Sequence, residues 1–252
     1  MADWLSRIQL ANLKADGFLD TGREGRKSVM RISTTALLLM LCLGAHGAAA
    51  ADLKGSVKFI GSDGPASASD FQDTVVFYSP DAKIKVRPLG TAGSIMMRGK
   101  SFVPHVLTVT TGSAVKFPNS DPILHNIFST TPGDSFDLGL YGPGESKSAS
   151  FDHAGLVRVY CNVHHEMFAY VLVLDTPFFT HPEADGSFAL SSLPAGPGEL
   201  TVWNPRGQVW REHLDSPGAA ALAIEIRLNR FAVPAHFNKF GKPYDKNAEP
   251  GY

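Results

Sequence analysis

The feature that most constrains the fold is a series of short apolar runs that alternate with polar residues between turn clusters. Such alternating runs occur at 53–59 and 102–110, a short continuous apolar run that we also predict to be a strand occurs at 74–78, and Gly, Pro, Ser and Asp residues separate them. Alternation with a period of two is typical of half-buried β-strands. Because no segment from 52 to 175 has a convincing 3.6-residue period, we predict an all-β chain built as a Greek-key β-sandwich.

The same pattern continues on both sides of a Gly/Pro/Ser-rich stretch at 131–147, which we predict to be a loop. Further strands are predicted at 114–117, 125–129, 148–151, 156–160 and 168–174. Later strands are predicted at 187–190, 199–203 and 221–228.

Composition narrows the classes of protein to consider. The chain has 252 residues, enough for one or two compact domains, and 44% of them are hydrophobic, which allows a packed core. The formal net charge is −1, and no basic stripe or aromatic-interleaved run of Lys and Arg occurs. We therefore exclude nucleic acid as a partner.

The early part of the chain has the pattern of a targeting signal. Arg26, Lys27 and Arg31 precede a short apolar run at 35–43, and small residues ending in four alanines follow. This order of basic, apolar and small residues is typical of a secretory signal peptide, and the apolar run is too short to span a bilayer. We expect a signal at about 26–51, export to the periplasm, and no stable membrane span after cleavage. An uncleaved anchor is the alternative.

Residues 1–29 precede this pattern and are unusual for a signal peptide. Met30 would make a natural start, so we interpret the first 29 residues as an over-extended start or a disordered extension. Together with the signal they form the first predicted segment, 1–51.

A thiol, an imidazole and a thioether lie within one short loop, as Cys161-x-x-His164-x-x-Met167. The other cysteine, Cys42, lies in the segment we expect to be removed, so no intrachain disulfide is predicted. A soft thiolate beside imidazole and thioether is the ligand set that selects copper over harder metals.

The chain supplies a second imidazole at His125, 36 residues before Cys161, on a predicted strand that follows a turn. Two neighbouring strands of a sandwich would bring His125 to the loop. The predicted ligands are thus His125, Cys161 and His164, with Met167 as a weak axial group. A trigonal His₂Cys set with a long axial Met is typical of a blue-copper electron-transfer site. We predict that the chain binds one copper ion and that it is an electron carrier and not an enzyme.

On these residues the chain resembles the cupredoxins, the small blue copper proteins, over roughly 94–175, and the spacing of its ligand loop is similar to that of amicyanin-type members. The resemblance implies that Asn126, after the first ligand, ties the two ligand loops together by hydrogen bonds. It also exposes two differences: His165 stands where amicyanins have a proline, and Glu166 is an alternative axial ligand, since some related "red" copper sites use a carboxylate.

The flanking segments 52–93 and 176–230 resemble the transthyretin-like regulatory module appended to carboxypeptidases. Turn and strand signals such as Asp185-Gly186-x-Phe188 carry this resemblance, which implies a second small β-sandwich around the first. Residues 231–252 have little periodicity, and we expect a flexible tail, either disordered or laid over a surface. Exported chains of similar make-up are often described as methylamine-utilisation proteins.

The predicted function is a periplasmic type 1 copper protein that carries single electrons between redox protein partners. One alternative is a copper-handling protein without a redox partner. A second is an enzyme, which would need another copper site with further His ligands. A third is a binding module at 176–230 with a vestigial copper site.

Overall fold

The computed structural model describes residues 51–61, 66–218 and 221–244. Within them, regular structure comprises seventeen strands and one five-residue helix, α1 (Ala68–Gln72), which confirms the all-β prediction. No helix in this part of the chain is long and apolar enough to cross a membrane. The proposed start at Met30, and the signal through residue 50, lie outside the described residues.

Two sheets form the first sandwich, and their inward side chains share one hydrophobic core. The larger sheet has five strands in the order β6-β12-β11-β8-β9: β6 Val106–Thr110, β8 His125–Ser129, β9 Phe136–Tyr141, β11 Gly155–Cys161 and β12 Phe168–Leu174. The smaller has three strands in the order β10-β7-β3: β3 Thr91–Ser94, β7 Ser113–Pro118 and β10 Ser146–Phe151.

A short hairpin of β4 (Met96–Met97) and β5 (Phe102–Val103) lies beside the first sandwich. Strand β9 lies inside the stretch that we predicted to be a loop at 131–147, so that prediction was wrong in its middle. The strand forms there because its backbone pairs with β8 and four of its six residues, Phe136, Leu138, Leu140 and Tyr141, are apolar or aromatic.

Strand β12 lies between β6 and β11 in the five-stranded sheet and is buried along its whole length. It pairs antiparallel with β11 and parallel with β6. One face of β12 enters the core, and on the other face Tyr170 contacts Trp203, with ring centroids 5.8 Å apart. This second covering explains why the strand is apolar at nearly every position.

A second pair of sheets forms around the residues that precede and follow the first sandwich. One sheet has the order β14-β1-β17: β1 Ala51–Gly61, β14 Ser187–Leu193 and β17 Leu222–Leu228. The other has the order β13-β2-β15-β16: β2 Val75–Pro80, β13 Phe179–Thr180, β15 Gly198–Trp203 and β16 Trp210–Leu214. Their apolar faces meet in a separate core.

Strand β17 illustrates how the sequence builds this second core. Ile224, Ile226 and Leu228 are buried while the residues between them are exposed, as a period of two requires. The chain thus leaves the second core after β2, builds the first sandwich, and returns. The resemblance of these strands to a transthyretin-like module stays a prediction.

Candidate metal centre

The loop that follows β11 is closed by backbone hydrogen bonds. The N–H of Cys161 donates to the carbonyl of Met167 at 3.1 Å, and the N–H of Met167 donates to the carbonyl of His164 at 3.0 Å. The N–H of Asn162 donates to the carbonyl of Asn126 at 2.9 Å, which fastens the loop to β8. The loop is therefore a fixed turn between two paired strands.

Three of the predicted ligands converge at this end of the sandwich. Cys161 Sγ lies 3.6 Å from His125 Nδ1 and 3.8 Å from His164 Nδ1. All three ligand atoms lie within 4.8 Å of one another, close enough to hold one metal ion. Cys161 and His125 are fully buried, and His164 is half-buried. We call these three residues the ligand cluster.

Burial controls the protonation of the ligand cluster. It lowers the pKa of His125, although the carboxylate of Asp121 opposes that shift. It also lowers the pKa of His164, and the neighbouring His125 adds to the effect. Both imidazoles are therefore neutral near pH 7, the form in which a ring nitrogen can bind a metal.

The pKa of the thiol in the ligand cluster is shifted upward, opposite to the downward shifts of the two imidazoles. Burial raises the pKa of Cys161, and hydrogen bonds from the backbone N–H groups of Asn126, His164 and Val163 lower it. A metal must displace the thiol proton to bind, and these N–H groups then stabilise the thiolate.

His125 is oriented by Asp121, which lies in the turn before β8. Its Nε2 lies 2.9 Å from the Oδ2 of Asp121, so its Nδ1 faces Cys161. The only sequence signal for this contact is the position of Asp121, four residues before His125 in the turn that opens β8.

Asn126 ties the two ligand-bearing segments together. Its carbonyl accepts the N–H of Asn162, and its Nδ2 donates to Asp137 Oδ1 at 2.6 Å. The contact between the two segments is made by the backbone of Asn126, whereas its side chain holds β9.

The remaining residues of the loop differ in exposure. Met167 is buried, with 2% of its surface exposed, and belongs to the first core. His165 and Glu166 are exposed. The role of Met167 as axial ligand stays a prediction, and so does the alternative at Glu166.

The segment after β17 lies against the ligand loop. This contact could not be predicted from the sequence, because the segment has no regular periodicity. The Lys239 N–H donates to Asn162 Oδ1 at 3.0 Å, and Lys239 Nζ pairs with Asp137 at 2.7 Å. The ring of His236 stacks on Tyr160, with centroids 4.0 Å apart. We call residues 231–244 the covering segment.

In comparisons with known proteins, no family model matches the chain and no curated protein matches it. Among solved structures it is similar to a purple cupredoxin from Nitrosopumilus maritimus, with 21% identity and a TM-score of 0.30, over 32% of this chain and 99% of that one. It is also similar to amicyanin from Paracoccus versutus, with 18% identity and a TM-score of 0.31, over 35% of this chain and 92% of that one.

A Cu(I) form of an amicyanin variant is similar at 20% identity, with a TM-score of 0.31, over 34% of this chain and 91% of that one. Each likeness covers about a third of the chain. The proposed function therefore rests on the ligand cluster itself.

Proposed function

We propose that this chain is an exported, periplasmic type 1 copper protein that carries single electrons between redox proteins. The observation that carries the proposal is the convergence of one thiol and two imidazole nitrogens within 4.8 Å at the buried end of a β-sandwich. Copper, when bound, supplies the chemistry by changing between Cu(I) and Cu(II).

The donor set fits copper better than other common metals. One sulfur and two imidazole nitrogens are soft or borderline ligands, which disfavour magnesium and calcium. Zinc accepts the same donors, but a trigonal His₂Cys set with a weak axial thioether is the arrangement of a blue copper site. In the proposal His125, Cys161 and His164 would hold the copper ion, and Met167 would be a weak fourth ligand.

The surrounding residues support a role in electron transfer. Strands β8 and β11 pair next to the site, with Cys161 opposite Ile127, so the frame resists rearrangement. Three backbone N–H groups are directed at the Cys161 sulfur and would stabilise the thiolate in both oxidation states. His164 is half-buried, and we propose its outer edge as the place where electrons enter and leave.

We propose a carrier and not an enzyme, because a copper oxidase or reductase needs a second copper site. In the described part of the chain the ligand cluster is the one group of three or more His, Cys, Asp or Glu side chains close enough to hold a metal. Export is proposed on the signal pattern at about 26–51.

The test is spectroscopy of the purified, copper-loaded chain. We expect an intense visible band from thiolate-to-Cu(II) charge transfer and a paramagnetic resonance signal typical of type 1 copper. A colourless Cu(II) complex with reduced Cys161 would contradict the proposal. Copper handling without a redox partner is the second candidate, and reversible one-electron cycling with the metal retained in both states would argue against it.

A further inference from the structure

The carboxylate of Asp121 is buried directly behind the ligand cluster. Only 5% of the Asp121 surface is exposed. Its Oδ2 lies 2.9 Å from His125 Nε2, and its own N–H donates to the side chain of Asn119 at 2.9 Å. A carboxylate so deeply buried must be stabilised by several hydrogen bonds if it is to keep its charge.

A hairpin turn supplies those hydrogen bonds. The two-residue turn between Arg98 and Ser101 has both central residues in the left-handed region, Gly99 at φ 61° and Lys100 at φ 56°. This is the pattern of a type I′ turn. The N–H groups of Gly99 and Lys100 donate to the two oxygens of Asp121, at 2.5 and 2.9 Å.

The hairpin is itself held by the core of the first sandwich. Met97 and Phe102, on either side of the turn, are buried in that core. Two successive backbone N–H groups that converge on one carboxylate form an anion-binding concavity. Each oxygen of Asp121 thus accepts one backbone N–H, which is the environment of an ionised carboxylate.

An ionised carboxylate can only accept hydrogen bonds, so the contact with His125 requires a proton on Nε2. A neutral imidazole carries one ring proton. The lone pair is therefore on Nδ1, the nitrogen 3.6 Å from Cys161 Sγ. The arrangement of hairpin, carboxylate and imidazole determines which nitrogen of His125 is free to bind.

We infer that Asp121 is a positioning residue of the metal centre, which fixes His125 as the Nε2–H tautomer and places a negative charge behind it that favours Cu(II) over Cu(I). This inference rests on the proposed copper site. The charge makes the His125 imidazole a stronger donor, as a carboxylate does behind a metal-bound histidine.

The first test removes the negative charge of the Asp121 side chain but keeps its shape. In Asp121→Asn, we expect the Cu(II) affinity to fall about 10–100-fold, the usual effect of losing such a partner, with a smaller loss for Cu(I). Each tenfold difference between the two oxidation states raises the reduction potential by about 59 mV. Potential and both affinities are measured on the full chain.

The matched control is Asp134→Asn. Asp134 is 7% exposed and accepts the N–H of Asp152 at 2.9 Å in the first sandwich, and it contacts none of the ligand cluster. We expect the reduction potential of Asp134→Asn to stay at the wild-type value. A potential in Asp121→Asn that matches the Asp134→Asn control would overturn the inference.

The second test needs no variant and no copper. In the metal-free, ¹⁵N-labelled wild-type chain, we expect the nitrogen shifts of His125 to report a protonated Nε2 and an unprotonated Nδ1. The opposite tautomer would overturn the inference even if Asp121→Asn fails to fold.

The two proposals can fail separately. If the wild-type chain shows no charge-transfer band, the proposed function fails. The role of Asp121 is then still tested by the tautomer of His125 and by the zinc(II) affinities of the wild type and of Asp121→Asn. If the wild type is blue and Asp121→Asn has the same potential and affinities, only the role of Asp121 fails.

Discussion

Each of the two β cores has a cluster of buried polar side chains beside it, and the two clusters differ in how their atoms are paired. Beside the second core, Asn204 Nδ2 donates to the carbonyl of Asp70 and to Thr74 Oγ1, at 3.0 and 2.9 Å. Arg206 completes this Asp70 cluster, with Nη1 2.6 Å from Asp70 Oδ1 and its N–H donating to Asn204 Oδ1. Every bond joins a donor to an acceptor.

In the ligand cluster the pairing is different. Cys161 Sγ and two Nδ1 atoms face one another at 3.6 and 3.8 Å, distances at which a sulfur forms at best a weak hydrogen bond. Soft donor atoms that converge in this way leave lone pairs available to a metal. Paired polar groups therefore indicate a structural role here, and converging lone pairs indicate a binding role.

The largest expected effect comes from removing the sulfur. In Cys161→Ser we expect complete loss of the charge-transfer band and of tight copper binding, because a hydroxyl is a much harder ligand than a thiolate. Visible absorption and metal content measure the effect. A Cys161→Ser chain that keeps the band would show that the colour does not arise from this thiolate.

The opposite outcome is expected in the Asp70 cluster. Asn204→Ala removes the two buried hydrogen bonds that Asn204 Nδ2 donates to Thr74 Oγ1 and to the Asp70 carbonyl, although these two groups keep their bond to each other. The free energy of unfolding should therefore fall by about 1–3 kcal/mol. The copper spectrum should not change. Denaturant unfolding measures the loss, and exposed Glu212→Ala, on the same sheet, is the control.

An altered spectrum in folded Asn204→Ala would mean that the two clusters are coupled. A contact between the two regions exists, since His105 Nδ1 lies 2.7 Å from Asp73 Oδ2. This contact lies on the outer side of β12, where the His105 ring also packs on Phe168 and Tyr170.

A smaller effect is expected at the axial position. Met167→Leu keeps the apolar volume and removes the thioether, so the fold and the copper should be retained. The reduction potential should rise, because one electron donor to Cu(II) is lost. Voltammetry measures this change, with Glu166→Gln as the control. If only Glu166→Gln shifts the potential, the axial ligand is the carboxylate.

The smallest effect is expected in the covering segment. Lys239→Met removes the ion pair with Asp137 but keeps the backbone bond to Asn162. Both side chains are partly exposed, at 23% and 42%, so the unfolding free energy should fall by less than about 1 kcal/mol. Lys242→Met, in the same segment, is the control. A large loss of colour in Lys239→Met would show that this segment holds the ligand loop in place.

Much of the fold and of the candidate site could be predicted from the sequence. The alternation of apolar residues predicted most strands, and the types and spacing of Cys161, His164 and His125 predicted the ligand cluster, because both signals are local in the chain or depend on few residue types. Strand β9 was missed because the Gly, Pro and Ser residues on both sides of it make the whole stretch resemble a loop, whereas its pairing with β8 is a tertiary contact.

Contacts that depend on tertiary structure could not be predicted from the sequence. The turn at Arg98-Gly99-Lys100-Ser101 lacks the Asn-Gly pair typical of a type I′ turn, so its role as a donor to Asp121 could not be read. The covering segment contacts the ligand loop through the backbone N–H of Lys239, and the side chains of Lys239 and His236 contact Asp137 on β9 and Tyr160 on β11. These residues follow no period.

The pairing of β8 with β11 also has a consequence for folding studies. The two strands carry His125 and Cys161, and the pair is aligned with Cys161 opposite Ile127. Sliding one strand by a single residue would turn its side chains to the other face of the sheet and separate the ligands. If the proposed copper form is blue, its colour would serve as an optical assay of correct strand alignment, usable in refolding and mutational screens of this sandwich.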